Sequence, residues 1–472
     1  MNMKGVFGIR CFREWLGLFA EDVPQSVARQ KYSFSVTEEC LASIRETALQ
    51  ELYDTARYAM DQAAMRSIGI SADPAASKDS VIKNLSALKT LVEALKTKGK
   101  AAFEATTPFL REALEAKAES CRCAILEMLR RTDEHKSGIE RSLLSGNHFT
   151  RLQTIRRRGS LLYSSDRIVT ELVTDCGKIV YKPRDLRIDK WFLELINPYT
   201  DSFIRVPDAL LCAERYGFTE YIENESVDTI KLTPENAYAL GALYVMIHIA
   251  RAADLNERNV FVSKGGICLL DLEIILIKEK YTEMPSSIRH LTDMFRNLIC
   301  AEEASFFSGI TDTYYRCMAD RERLSLAVEM AGPFWVRDMI RGGGQYDTLV
   351  QIRHQLEETR SREERLADEK ALTQFLRETA AESHKAFSDE ELKHVLQGSS
   401  MVLTLRAGEK DAYCDGKLLR KDYISQSPVE KTKRVIDGMT ERELRQIRWN
   451  LRRYINESER KEVLPCTGNR RP

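Results

Sequence analysis

The 472-residue sequence has no long hydrophobic run and no excess of either charge. Its longest nearly apolar stretch, residues 237–250, contains His248 and is shorter than the roughly 18 residues that a membrane-spanning helix needs. The 71 basic and 71 acidic side chains cancel, which removes a general attraction for nucleic acid or an anionic membrane. We therefore expect no membrane span and no nucleic-acid partner.

The sequence also lacks the cysteine patterns of zinc sites and disulfide frameworks. Its eleven cysteines are spread along the chain without a Cys-x-x-Cys motif. Buried thiols in a reducing compartment explain this distribution better than disulfides do, so we expect a cytoplasmic protein. No cysteine and histidine cluster has zinc-site spacing, and we expect no zinc.

Three regions differ in their residue patterns. Residues 36–144 are rich in helix formers with apolar side chains three and four apart, which predicts a helical region over 1–150. Within 151–225, two β-branched segments flank a turn at 175–177 and predict antiparallel strands. Within 226–472, a long helix from Pro234, a loop and two short strands precede mainly helical patterns from 285 onward. The predicted fold class is α+β.

One ordered set of polar residues indicates chemistry. Lys182 lies on a predicted strand, Asp254 and Asn259 on the loop after the long helix, and Asp271 on the strand after a glycine turn. Phosphoryl transfer from ATP needs a cation for the phosphates, a carboxylate for the hydroxyl proton and oxygen ligands for Mg²⁺. Asp254 and Asn259 have the offset of a protein-kinase catalytic loop. Each residue alone more often has a structural role, but their order predicts an ATP- and Mg²⁺-dependent enzyme.

Several spaced segments carry a resemblance to a known family. They are IVYKPRDL at 179–186, YGFTEYI at 216–222, DLNERN at 254–259 and LLDLE at 269–273. Together they resemble the dehydratase domain of class II lanthipeptide synthetases, the LanM family. The resemblance implies a bilobal, lipid-kinase-like core with extensive helical additions. A helical capping and peptide-docking region would occupy 1–150, an N-lobe 151–225 and a C-lobe 226–472.

The same resemblance implies an activity. Members of the family phosphorylate Ser and Thr of a ribosomally made precursor peptide with ATP and Mg²⁺, and then eliminate the phosphate. We expect the zinc cyclase domain that usually follows to be absent. By resemblance, Lys182 would hold the nucleotide phosphates, Asp254 would be the catalytic aspartate, and Asn259 and Asp271 would bind Mg²⁺. Glu273 would be the adjacent acidic residue of the family.

Other candidate residues complete the predicted site. Asn256 replaces a family histidine, and it can form hydrogen bonds but cannot carry a proton at neutral pH. The phosphate loop at 159–167 is not glycine-rich, so Ser164, Ser165 and backbone amides would cradle the phosphates. Val180 shares the strand face of Lys182 and is a candidate for adenine contact, and Glu194 is a candidate partner of Lys182.

The residues for elimination depart from the family pattern. Leu161 and Tyr163 replace an aspartate and a histidine, and Gly343 replaces a threonine, whereas Arg337 is kept. Elimination needs a base for the α-proton and a donor or cation for the departing phosphate. We therefore expect a peptide Ser/Thr kinase with elimination lost, whose product passes to a separate lyase or cyclase.

Two alternatives stay open. One is a complete dehydratase in which Asp166 or His148 supplies a missing group, because both lie near the phosphate loop in sequence. The other is a non-catalytic subunit that binds the precursor peptide for partner enzymes. The retained kinase residues argue against the second alternative.

Overall fold

The computed structural model describes residues 16–67, 108–158, 168–276, 285–338, 362–382, 388–396, 401–414 and 416–463. Six predicted residues of interest lie outside these ranges: Leu161, Tyr163, Ser164, Ser165, Asp166 and Gly343. The chain divides into two compact units, called unit 1 (residues 1–183 and 341–401) and unit 2 (residues 184–340 and 402–472). In the part of the chain that the structure describes, no helix is long and apolar enough to cross a membrane.

The helices are α1 (Asp22–Ala28), α2 (Glu38–Ser67), α3 (Pro108–Glu134), α4 (Lys136–Leu143), α5 (Arg187–Thr200), α6 (Pro234–Ala250), α7 (Ser286–Met294), α8 (Arg296–Ala301), α9 (Glu303–Ala319), α10 (Arg321–Glu329), α11 (Arg362–Glu382), α12 (Asp389–Leu396), α13 (Pro428–Asp437) and α14 (Glu441–Val463). The strands are β1 (Ser35–Val36), β2 (Arg151–Arg158), β3 (Val169–Thr174), β4 (Lys178–Lys182), β5 (Ile204–Arg205), β6 (Ala209–Ala213), β7 (Tyr216–Glu220), β8 (Val260–Ser263), β9 (Gly266–Leu269), β10 (Trp335–Asp338), β11 (Leu403–Arg406), β12 (Ala412–Cys414) and β13 (Lys417–Arg420). The α+β class is confirmed, and the lipid-kinase-like bilobal core stays a prediction.

Unit 1 combines long helices with a sheet in the order β1-β2-β3-β4. Strand β1 is parallel to β2, and the remaining neighbours are antiparallel. The predicted hairpin is present: β3 and β4 pair with Thr170 opposite Tyr181, and Gly177 in the connecting turn has a φ of 155° that favours glycine. The boundaries predicted at 150 and 225 stay predictions.

Unit 2 contains a β6–β7 hairpin, a three-stranded sheet in the order β5-β9-β8 and a four-stranded sheet in the order β10-β11-β12-β13. The four-stranded sheet was not predicted, since the pattern from 285 onward indicated helices. Its strands have only three or four residues each. Such short segments are too brief to show a clear alternation, and their pairing decides their conformation.

The buried helix α6 leads directly to the predicted catalytic loop. Thr233 caps its first turn by accepting a hydrogen bond from the Asn236 amide at 3.3 Å. A Cβ atom at Gly241 would collide with the carbonyl oxygen of Phe306 on α9, so glycine permits a close approach of these helices. Arg251 ends α6 with a left-handed φ of 54° and redirects the chain into the loop.

Candidate active site

The loop after α6 holds the first part of the predicted site. Asp254 has a left-handed φ of 62°. Its carboxylate accepts hydrogen bonds from Asn256 Nδ2 at 3.0 Å and Asn259 Nδ2 at 3.2 Å. Asn259 Nδ2 also donates to the Asp254 carbonyl oxygen at 2.8 Å. The loop thus brings three predicted site residues together, with two amides orienting one carboxylate.

The segment 270–276, which follows β9, holds the second part. Backbone hydrogen bonds join it to the loop: the Leu270 amide donates to Asn259 O and the Ala253 amide donates to Ile274 O, both at 2.8 Å. Asp271 projects from this segment with 32% of its side chain exposed. The site is therefore assembled by a loop and a neighbouring extended segment of the same unit.

Glu273 and Arg337 are brought together as well. Arg337 Nη1 donates to Glu273 Oε1 at 2.6 Å, and the Arg337 amide donates to the Glu273 carbonyl oxygen at 2.7 Å. Both side chains are largely buried. Strand β10 therefore holds Arg337 beside Glu273, an acidic residue of the candidate site. The family pattern also predicts this arginine.

Sequence reasoning missed two residues of this network, Arg184 and Asp189. Arg184 Nε lies 3.0 Å from Asp271 Oδ1, and Arg184 Nη2 donates to Asp189 Oδ2 at 2.7 Å. Asp189 Oδ1 also accepts a hydrogen bond from the Leu272 amide at 3.2 Å. The only signal in the sequence was a pair of opposite charges on either side of the start of α5, close to Lys182.

The electrostatics of the loop favour a bound cation. The pKa of Asp254 is raised above its ordinary value, first because surrounding protein desolvates the carboxylate and then because Asp271 is negative. Arg337 and the hydrogen bond from Asn259 lower this pKa, whereas Glu273 raises it. Desolvation and the negative charges of Asp271 and Glu273 thus disfavour the ionised Asp254 carboxylate, and a cation bound beside it would favour that ionised form.

The donor set fits Mg²⁺. Among the residues that the structure describes, no group of three or more His, Cys, Asp or Glu side chains forms a metal centre. Asn259 and Asp271 nevertheless offer the oxygen ligands that Mg²⁺ prefers, and Mg²⁺ at nucleotide sites takes most other ligands from phosphates and water. With Asn259 Nδ2 turned toward Asp254, the Asn259 amide oxygen is the atom that would bind the metal.

The predicted nucleotide residues have the following surroundings. Lys182 is buried at the end of β4 in unit 1, and Val180 on the same strand is half-buried. Glu194 on α5 has 59% of its side chain exposed and lies 3.9 Å from Lys190 Nζ. The roles assigned to these three residues in nucleotide binding stay predictions.

His148, which one alternative invoked for elimination, belongs to unit 1. Its Nδ1 lies 3.0 Å from Glu140 Oε2, and its ring is well exposed. A buried carboxylate thus orients an exposed imidazole. The role in elimination that the alternative gives to His148 stays a prediction.

Two comparisons relate the chain to known proteins. Residues 108–299 match a family model described as a domain of unknown function (DUF4135), a range that includes Lys182, Asp254, Asn259, Asp271 and Glu273. Over 172 residues the chain is 23% identical to the lacticin 481/lactococcin biosynthesis protein LcnDR2 of Lactococcus lactis subsp. lactis. The aligned part is 34% of this chain and 18% of that relative, so the chain spans under a fifth of the relative's length.

Proposed function

We propose that this chain transfers the γ-phosphoryl group of ATP to Ser and Thr of a ribosomally made precursor peptide in lanthipeptide-type biosynthesis, with phosphate elimination lost. The observation that carries the proposal is the joining of two segments of unit 2. Asp254 and Asn259 lie on one segment and Asp271 on the other, and backbone hydrogen bonds hold the two side by side. The inventory matches what phosphoryl transfer requires.

Each side chain has a distinct task in this proposal. Asp254 accepts the proton of the attacking hydroxyl, and its raised pKa makes it a stronger base than an ordinary aspartate. Asn259 and Asp271 hold Mg²⁺, which when bound would neutralise charge on the transferring phosphoryl group. Lys182 holds the α- and β-phosphates of ATP. Asn256 keeps the Asp254 carboxylate oriented through its 3.0 Å hydrogen bond.

The name of the relative supports the proposed substrate class. That protein is named for lacticin 481 and lactococcin biosynthesis, and the similarity covers part of both chains. We extend it to a precursor peptide containing Ser and Thr, modified in the cytoplasm and passed to a separate lyase or cyclase. Phosphorylated residues would then be the product of this chain.

A complete dehydratase is the second candidate, and Arg337 favours it. A guanidinium held beside Glu273 is a cation that could stabilise a departing phosphate. The proposal of lost elimination depends instead on Leu161, Tyr163 and Gly343, which replace the family's acid, base and hydroxyl groups. The two functions differ in the mass of their product.

The test is an intact-mass measurement of Ser/Thr-containing lanthipeptide precursors after incubation with the protein, ATP and Mg²⁺. Gain of phosphate is the expected result, net loss of water would identify a dehydratase, and an unchanged but bound peptide would identify a binding subunit. Asp271→Asn should lower the rate by about 10³-fold, because charge neutralisation dominates this chemistry. The matched control is Asp320→Asn, an exposed aspartate before α10 whose side chain forms no capping hydrogen bond and which lies outside the candidate site.

A further inference from the structure

The buried residue Asp189 contacts the segment that carries Asp271 and Glu273. One of its oxygens accepts a hydrogen bond from Arg184 and the other accepts the Leu272 amide, between Asp271 and Glu273. Arg184 has only 9% of its side chain exposed and reaches Asp271 with a different nitrogen, Nε. A single guanidinium is therefore shared between a buried carboxylate and the predicted metal ligand.

The charges of this network do not cancel. Four carboxylates, those of Asp189, Asp254, Asp271 and Glu273, accompany two guanidinium groups, those of Arg184 and Arg337. Two negative charges remain within these six groups, the number that a divalent cation balances. If Asp189 were neutral, Arg184 would pair with Asp271 alone, and the six groups would carry only one net negative charge.

We infer that Asp189 is a positioning residue for the metal site. Asp189 binds Arg184, so that this guanidinium does not fully neutralise Asp271, and Asp189 also holds the backbone between Asp271 and Glu273. The inference rests on the proposed function, which assigns Asp271 to the metal. Ligand charge is a main determinant of how tightly oxygen sites bind divalent cations. Asp189 would thus control metal affinity without touching the metal.

The experiment measures Mn²⁺ binding by electron paramagnetic resonance, with a non-hydrolysable ATP analogue present. In Asp189→Asn, the side-chain oxygen of the asparagine still accepts the hydrogen bond from the Leu272 amide, so the main change is the loss of one negative charge. We expect the Kd for Mn²⁺ to rise about tenfold, since one of two negative charges is lost. Phosphate transfer should recover when Mg²⁺ is raised, which a purely structural role would not produce.

A double variant makes the test independent of folding defects. Asp189→Asn alone leaves a buried guanidinium with one partner fewer, whereas Arg184→Gln with Asp189→Asn removes both charges and restores the two negative charges of the site. The double variant should bind Mn²⁺ as tightly as the wild type or more tightly. A Kd more than about tenfold weaker in the double variant would overturn the inference.

The control variant is Glu220→Gln, whose carboxylate pairs with Arg205 at 2.9 Å in the same unit. Its Mn²⁺ affinity should equal that of the wild type. If the wild type transfers phosphate and Asp189→Asn binds Mn²⁺ with unchanged affinity, the inference fails and the proposed function stands. If the wild type binds no Mn²⁺ alongside the analogue, both fail.

Discussion

Two sets of carboxylates, one in each unit, are balanced in different ways. In unit 1, two of the buried glutamates, Glu51 on α2 and Glu171 on β3, each have two cationic partners. The partners are Lys117 and Arg157 for Glu51, and Arg156 and Arg158 for Glu171. In the network of unit 2, four carboxylates share two guanidinium groups.

The difference separates structural charge from functional charge. A buried carboxylate is tolerated when a partner compensates its lost hydration, and Glu51 and Glu171 meet this condition. Around Asp254 the pKa of the carboxyl is raised, first because the surrounding protein desolvates it and then because Asp271 is negative, and Arg337 does not offset both effects. A fold keeps such an uncompensated cluster at a cost in stability, which is typical of sites that bind a cation or move a proton.

The largest expected effect is on catalysis in unit 2. Asp254→Asn removes the proposed base and should reduce phosphate transfer about 10³-fold, measured as initial rate of peptide phosphorylation. Asparagine tolerates the left-handed φ of 62° at this position, so the loop should keep its shape. The matched control is Asp422→Asn, another left-handed aspartate with a φ of 48°, whose transfer rate should stay at the wild-type level.

The second effect is on stability in unit 1. Arg157 has only 10% of its side chain exposed and contacts the Glu51 carboxylate. Glu51→Gln removes that negative charge from beside the buried guanidinium. Losing one partner of such a buried pair should lower the free energy of unfolding by about 3 kcal/mol, read from denaturant titration.

Glu171→Gln supplies the internal comparison for that measurement. Arg156 and Arg158 are each about half exposed, so water can hydrate them after the substitution and the loss should be smaller. Mn²⁺ affinity should be unchanged in both variants. A stability loss at Glu171 that equals or exceeds the loss at Glu51 would contradict the role given to the buried arginine.

Local sequence patterns predicted much of the scaffold. The β3–β4 hairpin, the long helix α6 and the glycine turn between β8 and β9 each depend on residues close together in the chain. The grouping of Asp254, Asn256 and Asn259 was predictable for the same reason, because a single loop contains all three. Order along the chain was enough to suggest that Asp271 belongs with them.

Charge pairing across distant segments was not predictable. Arg184 precedes Asp271 by more than eighty residues, and nothing local indicates that they meet. The basic run Arg156–Arg158 likewise has the pattern of solvated surface, yet its side chains contact buried glutamates of α2 and β3. A sequence shows which charges exist, while the tertiary fold decides which of them are neutralised.

The smallest expected effect is on stability at Asp254. The free energy of unfolding of the wild type and of Asp254→Asn, both measured with a chelator present, tests whether the ionised Asp254 carboxylate destabilises the fold. The folded pKa of Asp254 is raised, so the folded state holds this proton more tightly than the unfolded chain does. Wild-type stability should therefore fall relative to the variant as pH rises from about 3.9, the unfolded value of an aspartate, through the raised folded pKa. Below that window both side chains are neutral and the two proteins should be equally stable.

At neutral pH, Asp254→Asn should thus be the more stable protein, by less than about 1 kcal/mol, because Asp254 is partly desolvated by its neighbours but still open enough to solvent for water to screen its charge. This change in the free energy of unfolding has the opposite sign to the change expected for Glu51→Gln. The two variants together therefore test directly whether the carboxylates of the two units differ. Adding Mg²⁺ with the ATP analogue should shrink this difference, because the bound cation offsets the unfavourable surroundings of the ionised Asp254 in the wild type. A variant that is less stable than the wild type at neutral pH without metal would mean that Asp254, like Glu51, is fully compensated by its neighbours.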